Sequence, residues 1–144
     1  MDKSPEVLLE LVERLGNLLR SEFRRAGAEE QLQPVHVHAL VYLTRANRYS
    51  NTPQAMAEYL GLTKGTMSQS LLLLDRRGLI ERYQDDLDRR VVRLRLSTSG
   101  EQFLYDAQPQ SAWQHATRNI SPNRIRNAVS ALRETVTTFQ ADNE

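Results

Sequence analysis

Between residues 52 and 78 the chain is punctuated so closely that little freedom of architecture remains. Thr52-Pro53 pairs a helix cap with a proline suited to the first helical position. Gly61 stops that helix, Thr63 is placed to cap another, and Gly78 ends the second. The first helix presents Met56, Tyr59 and Leu60 on one face. In the second, Met67, Leu71 and Leu74 recur at i, i+4 and i+7, so it too has a side to bury. Two short helices joined by a tight glycine-containing turn match a helix-turn-helix.

The flanking residues extend this pattern. Two β-like runs follow, "LIERY" and "VVRLRLS", joined by the turn-rich "QDDLD". Val92, Leu94 and Leu96 alternate with Arg93 and Arg95, giving one apolar and one cationic face. Thr98 with Glu101 suits a capping box opening a further helix, which Pro109 should kink or break. Upstream, Ser4 and Pro5 open a helix over residues 5–25 whose Leu8, Leu11, Leu15 and Leu18 fall three and four apart, and Gly27 ends it. Pro34 starts a second helix with Val37, Leu40, Val41 and Thr44 in one stripe, and "NRYSN" makes a loop. Ser121-Pro122 opens a last helix in which Ile125, Val129, Leu132, Val136 and Phe139 repeat four, three, four, three, a heptad-like seam. Helices this long at both ends exceed what so small a centre can cover, which predicts that part of each stripe faces another subunit. The alternative is that both stripes pack on their own core.

The expected fold is mainly α with a small β-hairpin wing: a winged helix-turn-helix with N- and C-terminal dimerisation helices. Its parts are an N-terminal dimerisation helix in 1–33, a winged domain in 34–100 and C-terminal dimerisation helices in 101–144.

Composition narrows the function classes. The chain has 144 residues and no cysteine, which excludes disulfides and thiolate metal sites. No apolar run approaches the roughly 18 to 20 residues of a membrane span, and "MDKSPEVLLE" lacks signal-peptide character. The expectation is a soluble, cytoplasmic protein. The formal net charge is only +1, but residues 45–95 hold ten basic against six acidic side chains. Seventeen of the nineteen basic residues in the chain are arginine, whose forked guanidinium suits phosphates and base edges.

The stretch "TKGTMSQS", residues 63–70, is almost stripped of large side chains although it opens a helix. With Met67, Leu71 and Leu74 inward, Lys64, Gly65, Ser68 and Gln69 project outward at the positive end of the helix dipole. Small residues permit close approach, and a DNA major groove accepts a helix presented this way. Gln69 suits an adenine edge, Lys64 a guanine or a phosphate, and Thr66 or Ser68 either. An ordinary capped surface helix is the alternative. The hairpin behind it carries Arg89, Arg90 and Arg93, a cationic wing able to follow the backbone or enter a minor groove. Asp88 equally suits an ion pair that holds the wing in shape. The candidate DNA-binding residues are therefore Thr63, Lys64, Gly65, Thr66, Ser68, Gln69, Arg89, Arg90 and Arg93.

In "TPQAMAEYLGLTKGTMSQSLLLLDRRGLIER", followed by "DDLDRRVVRLRLSTSG", the sequence resembles the MarR family of winged helix-turn-helix transcription regulators. That family's Asp-x-Arg wing element corresponds to Asp88 and Arg90, with Leu96-Ser97 near its usual Leu-Thr. The resemblance implies a homodimer on a pseudo-palindromic operator in double-stranded DNA, usually a repressor, often released by a small aromatic or phenolic effector. Leu72 departs from the pattern, since its position in the recognition helix is usually polar in the family.

Other constellations carry less. His36 and His38, two apart on a helix, point to nearly opposite sides and suit no shared metal site, and no metal or other cofactor is expected. Asp85, Asp86 and Asp88 are acidic enough for a cation but are ordinary turn chemistry. No phosphate loop or nucleophile elbow is present, so no enzyme activity is expected. Tyr42, Tyr105 and Trp113 are candidates to line an effector pocket, with core packing the favoured alternative. The rival to DNA binding is a winged helix that binds protein, which would account for Leu72 and the small net charge.

Overall fold

The computed structural model describes residues 3–143. Its elements run α1 (Pro5–Gly27), α2 (Pro34–Arg45), α3 (Pro53–Leu60), α4 (Lys64–Arg76), β1 (Ile80–Gln84), β2 (Val92–Leu96), α5 (Thr98–Ala107), α6 (Ser111–Thr117) and α7 (Pro122–Ala141). Four of the predicted caps form. Side chains of Ser4, Thr52, Thr63 and Ser121 accept the backbone N–H of Val7, Ala55, Thr66 and Arg124. Gly61 and Gly78, at φ +66 and +69, make the left-handed turns that end α3 and follow α4. The chain divides into two units, one reaching Gln110 and one starting at Ser111.

In the first unit α2 is the hub, with Val37, Ala39, Leu40, Val41, Tyr42 and Leu43 all buried. Met56 of α3, Met67, Leu71 and Leu74 of α4, Ile80 of β1 and Leu94 of β2 close around it. At about 1.5 to 3 kcal/mol for each fully buried side chain of this size, this cluster is the main force holding the helix-turn-helix and hairpin together. β1 and β2 pair antiparallel in register Ile80↔Leu96 through Gln84↔Val92. The outer edge of β2 is tied down as well: Leu94 N–H donates to the Asn51 carbonyl at 2.8 Å, joining the hairpin to the α2–α3 connection.

Three local expectations change, and Gly27 holds its place for a different reason. Thr44 leaves the α2 stripe and is exposed, its hydroxyl donating to the Val41 carbonyl. Tyr59 is also mostly exposed, and Ala57 takes the inward place beside Met56. Gly27 ends α1 in an ordinary helical conformation; it is small because a Cβ there would strike the Leu32 carbonyl and Val37. The cap of α5 is Ser97, one residue before Thr98: its Oγ accepts the Gly100 N–H at 3.0 Å and donates to the Gly78 carbonyl at 2.5 Å. One hydroxyl thus starts α5 and secures the turn after α4, a long-range bond that outweighs the local Thr98–Glu101 motif. Pro109 does break the helix: α5 ends at Ala107 and Gln108 adopts φ +48.

The second unit holds α6 and α7. Ile125, Val129, Leu132, Val136 and Phe139 lie on α7 as the spacing predicts, and all five are exposed. Leu8, Leu11, Leu15 and Leu18 of α1 are exposed as well; that helix buries only its far end, at Phe23, Ala26 and Gly27. Among the described residues no helix is long and apolar enough to cross a membrane.

Candidate nucleic-acid interface

α4 has two sharply different sides. Met67, Leu71 and Leu74 are 1% exposed or less, whereas Lys64, Gly65, Thr66, Ser68 and Gln69 are all exposed. The separation follows from the helical period alone, because the inward residues recur at three and four and the outward ones fill the gaps. Thr63 acts on the helix itself. Its hydroxyl accepts the Thr66 N–H at 3.2 Å and donates to the Thr66 hydroxyl at 3.0 Å. It fixes where the helix starts and so which side chains lead. Lys64, Gly65, Ser68 and Gln69 then form a small-residue surface at the positive end of the helix dipole.

The hairpin's turn is built by its aspartates. Asp85 accepts the backbone N–H of Leu87 and Asp88, and Asp88 accepts that of Arg90. Both carboxyls are held below the usual carboxylate range, Asp85 chiefly by its bond from Arg93 and Asp88 chiefly by its bond from Arg90. Arg89 is exposed. Arg90 grips Asp88 through Nε and Nη2 at 3.0 and 3.1 Å, yet its side chain is 90% exposed. It is braced from behind with an open face, and the bond to Asp88 raises its pKa further.

Arg93 is placed differently from the expectation of a surface contact. Its side chain is 16% exposed, with Nε 2.6 Å from Asp85 Oδ1. Its Nη1 donates to Asn51 Oδ1 at 2.9 Å and to the Arg48 carbonyl. Arg95, the next residue on that strand face, pairs with Glu81 at 2.8 Å and lies over the Tyr83 ring. The cationic face read from the alternation is therefore largely neutralised, and the open charge of the wing sits at its turn. Asn51 is a residue that sequence reasoning missed. It is buried and engages Leu94, Arg93 and Tyr83 through its carbonyl, Oδ1 and Nδ2. Nothing in "NRYSN" marks it, because its partners lie more than thirty residues downstream.

Of the three candidate effector aromatics, Tyr42 and Tyr105 lie in the first unit and Trp113 in the second. Tyr42 is buried, donates to the Ser50 carbonyl at 2.6 Å and packs on Tyr59 at 4.9 Å, so it is a core residue. Tyr105 is 73% exposed on α5, and Trp113 is exposed on α6. The two histidines serve packing. His36 Nδ1 accepts the Gln33 N–H and caps α2, while His38 sits between the rings of Phe23 and Tyr59. Burial lowers the pKa of both, aided by Arg77 for His36 and by Arg45 and Arg20 for His38.

Comparison with known proteins agrees with this geometry. Residues 30–91 match the family model described as MarR family. Among solved structures, the transcriptional regulator PA3341 aligns with a TM-score of 0.77 at 20% identity, covering 93% of this chain and 98% of that one. A MarR family transcriptional regulator from Silicibacter pomeroyi aligns at 0.74 and 18%, covering 89% and 86%. S. aureus MepR, solved as a DNA complex, aligns at 0.66 and 20%, covering 95% and 99%. No curated protein sequence gives a match. At these identities the structural likeness speaks for the fold, and the matched segment spans α2, α3, α4 and the hairpin turn. Over residues 30–91 the chain is thus similar to the MarR family, and its fold there is the winged helix-turn-helix.

Proposed function

We propose that the protein is a DNA-binding regulator of transcription, acting as a homodimer on a two-fold operator and as a repressor released by a small aromatic effector. One observation carries the reading: α4 keeps Lys64, Gly65, Ser68 and Gln69 open while its opposite side is locked into the core. In this reading Gln69 pairs with an adenine edge, Lys64 meets a guanine or a phosphate, and Thr66 and Ser68 supply hydroxyls. Thr63 sets the helix start. Arg89 and Arg90 contact the backbone or the minor groove, and Arg93 holds the wing that presents them. S. aureus MepR, similar in fold, is itself described in complex with DNA.

The dimer rests on the exposed stripes. Helices in proteins draw most of their stability from packing an apolar face, and α7, 20 residues long, exposes all five residues of its seam. A second copy supplies that partner and sets two recognition helices about one DNA turn, roughly 34 Å, apart. An effector then acts by binding one spacing of those helices more tightly than another.

Selection of fragments from a random duplex pool tests the reading. The expected result is a site with two-fold symmetry whose affinity falls steeply with salt. Failure to enrich any sequence over random DNA overturns it and favours a winged helix that binds protein, a reading that exposed Leu72 and the net charge of +1 would then support.

A further inference from the structure

Leu72 is the one large apolar side chain on the open side of α4, and the proposed function leaves it without a role. It is 38% exposed, outside the core that takes Leu71 and Leu74 and outside the shell of partly buried residues that includes Leu73. It follows Ser68 by four residues and Gln69 by three, so it lies on their face one turn further along. It also follows Gly65 by seven residues and precedes exposed Arg76 by four. Along the axis it is about 10 Å from Gly65, at about 1.5 Å per residue, within a major groove about 12 Å wide. Beside it a shallow hollow of about 540 Å³ opens between α4 and the start of α2, lined in part by Thr66, Gln69, Leu72, Arg76 and Val35.

We infer, on the reading that α4 enters a DNA major groove, that Leu72 is a specificity-determining residue that recognises the 5-methyl group of a thymine. The surroundings decide the chemistry. The Thr66 hydroxyl, the Gln69 amide and the Arg76 guanidinium share the hollow with Leu72, Leu73 and Val35, a mixed lining that suits hydrogen-bonding base edges with an occasional apolar point. The thymine methyl is the apolar group that those edges display. A protein partner would call instead for a contiguous apolar patch of a few hundred Å², more than Leu72 makes with Val35 and Leu73 in this hollow. Because Gln69 suits an adenine edge and Leu72 lies a turn beyond it, each half-site should combine an adenine with a thymine on a neighbouring step.

The test uses the full chain and a duplex that it selects, with each thymine replaced in turn by deoxyuridine, which lacks only the methyl group. At one position in each half-site, deoxyuridine should weaken wild-type binding about four-fold, the worth of burying roughly one methyl group. Leu72→Ala should bind the two duplexes equally at that position, and Leu72→Met should keep most of the discrimination. Melting temperatures of the variants close to wild type are expected, since the side chain lies outside the core. If a symmetric site is selected but no thymine shows a methyl effect that depends on Leu72, this inference fails while the regulatory reading stands. If no site is selected at all, both fail.

Discussion

α4 and α7 carry nearly the same apolar spacing and meet opposite fates. Met67, Leu71 and Leu74 of α4 are sealed in the core, while Ile125, Val129, Leu132, Val136 and Phe139 of α7 all face outward. A stripe at three and four residues says that a helix needs a partner on that side; it does not say whose chain provides it. α4 finds its partner in α2 of the same unit, leaving its other side free for a ligand. α7 leaves all five residues of its face exposed.

That contrast can be broken experimentally, and the largest effect is expected in α4. Leu71→Ala should cost about 2 to 5 kcal/mol of unfolding free energy, the range for emptying a leucine site in a closed core. Leu132→Asp should instead act through assembly, shifting the sedimentation profile from dimer to monomer. Were Leu132→Asp to leave the mass unchanged, the α7 seam would not be a subunit interface.

A second pair of changes separates the two sides of α4 itself. Gln69→Ala should leave the melting temperature near wild type yet weaken binding to the selected site by about 1 to 3 kcal/mol. Equal weakening for selected and random duplexes would remove Gln69 from base reading.

The wing offers the same comparison over a few residues. Arg90→Ala should lower affinity evenly across sequences and reduce the salt slope by about one for each phosphate no longer engaged. Arg93→Gln should leave the α4 surface unchanged but loosen the wing, seen as faster amide exchange at Leu94 in the free protein. Asp85 adds a pH signature. Its folded pKa lies below the unfolded value, so its contribution is present above about pH 4 and is lost as pH falls through the lower, folded value. Exchange at Leu94 that is already fast at pH 6 would contradict the clamp.

The smallest effect is expected from the histidines. Both have folded pKa values below the ordinary one, so the folded state prefers them neutral. Stability should be complete above about pH 6.5 and decline as pH falls through that unfolded value. His38→Phe, which keeps a ring between Phe23 and Tyr59, should flatten part of that decline in a pH series of thermal melts.

Much of this molecule was legible because its signals are local. A cap needs only the side chain three residues before the N–H it binds, and a buried stripe needs only a period; hence Thr52, Thr63, Ser121 and the Met67–Leu71–Leu74 face could be read directly. The open face of Lys64, Ser68 and Gln69 followed as the remainder of that helix. What misled was non-local. Thr98 with Glu101 is a sound local motif, but Ser97 gains a second bond, to the Gly78 carbonyl, that no window of sequence contains. Arg93 alternates outward on paper, and it is Asp85 across the turn and Asn51 far upstream that draw it in.

The amino-acid order alone therefore determined where helices start, where they stop and which side of each is apolar, because those choices are settled by hydrogen bonds and periods spanning a few residues. Only the tertiary structure decided which charges are spent inside the protein and which stay open. That choice depends on partners distant in sequence, and an arginine looks the same in the chain whether it braces a wing or leads it. Arg90 and Arg93 are three residues apart, and the fold alone tells them apart.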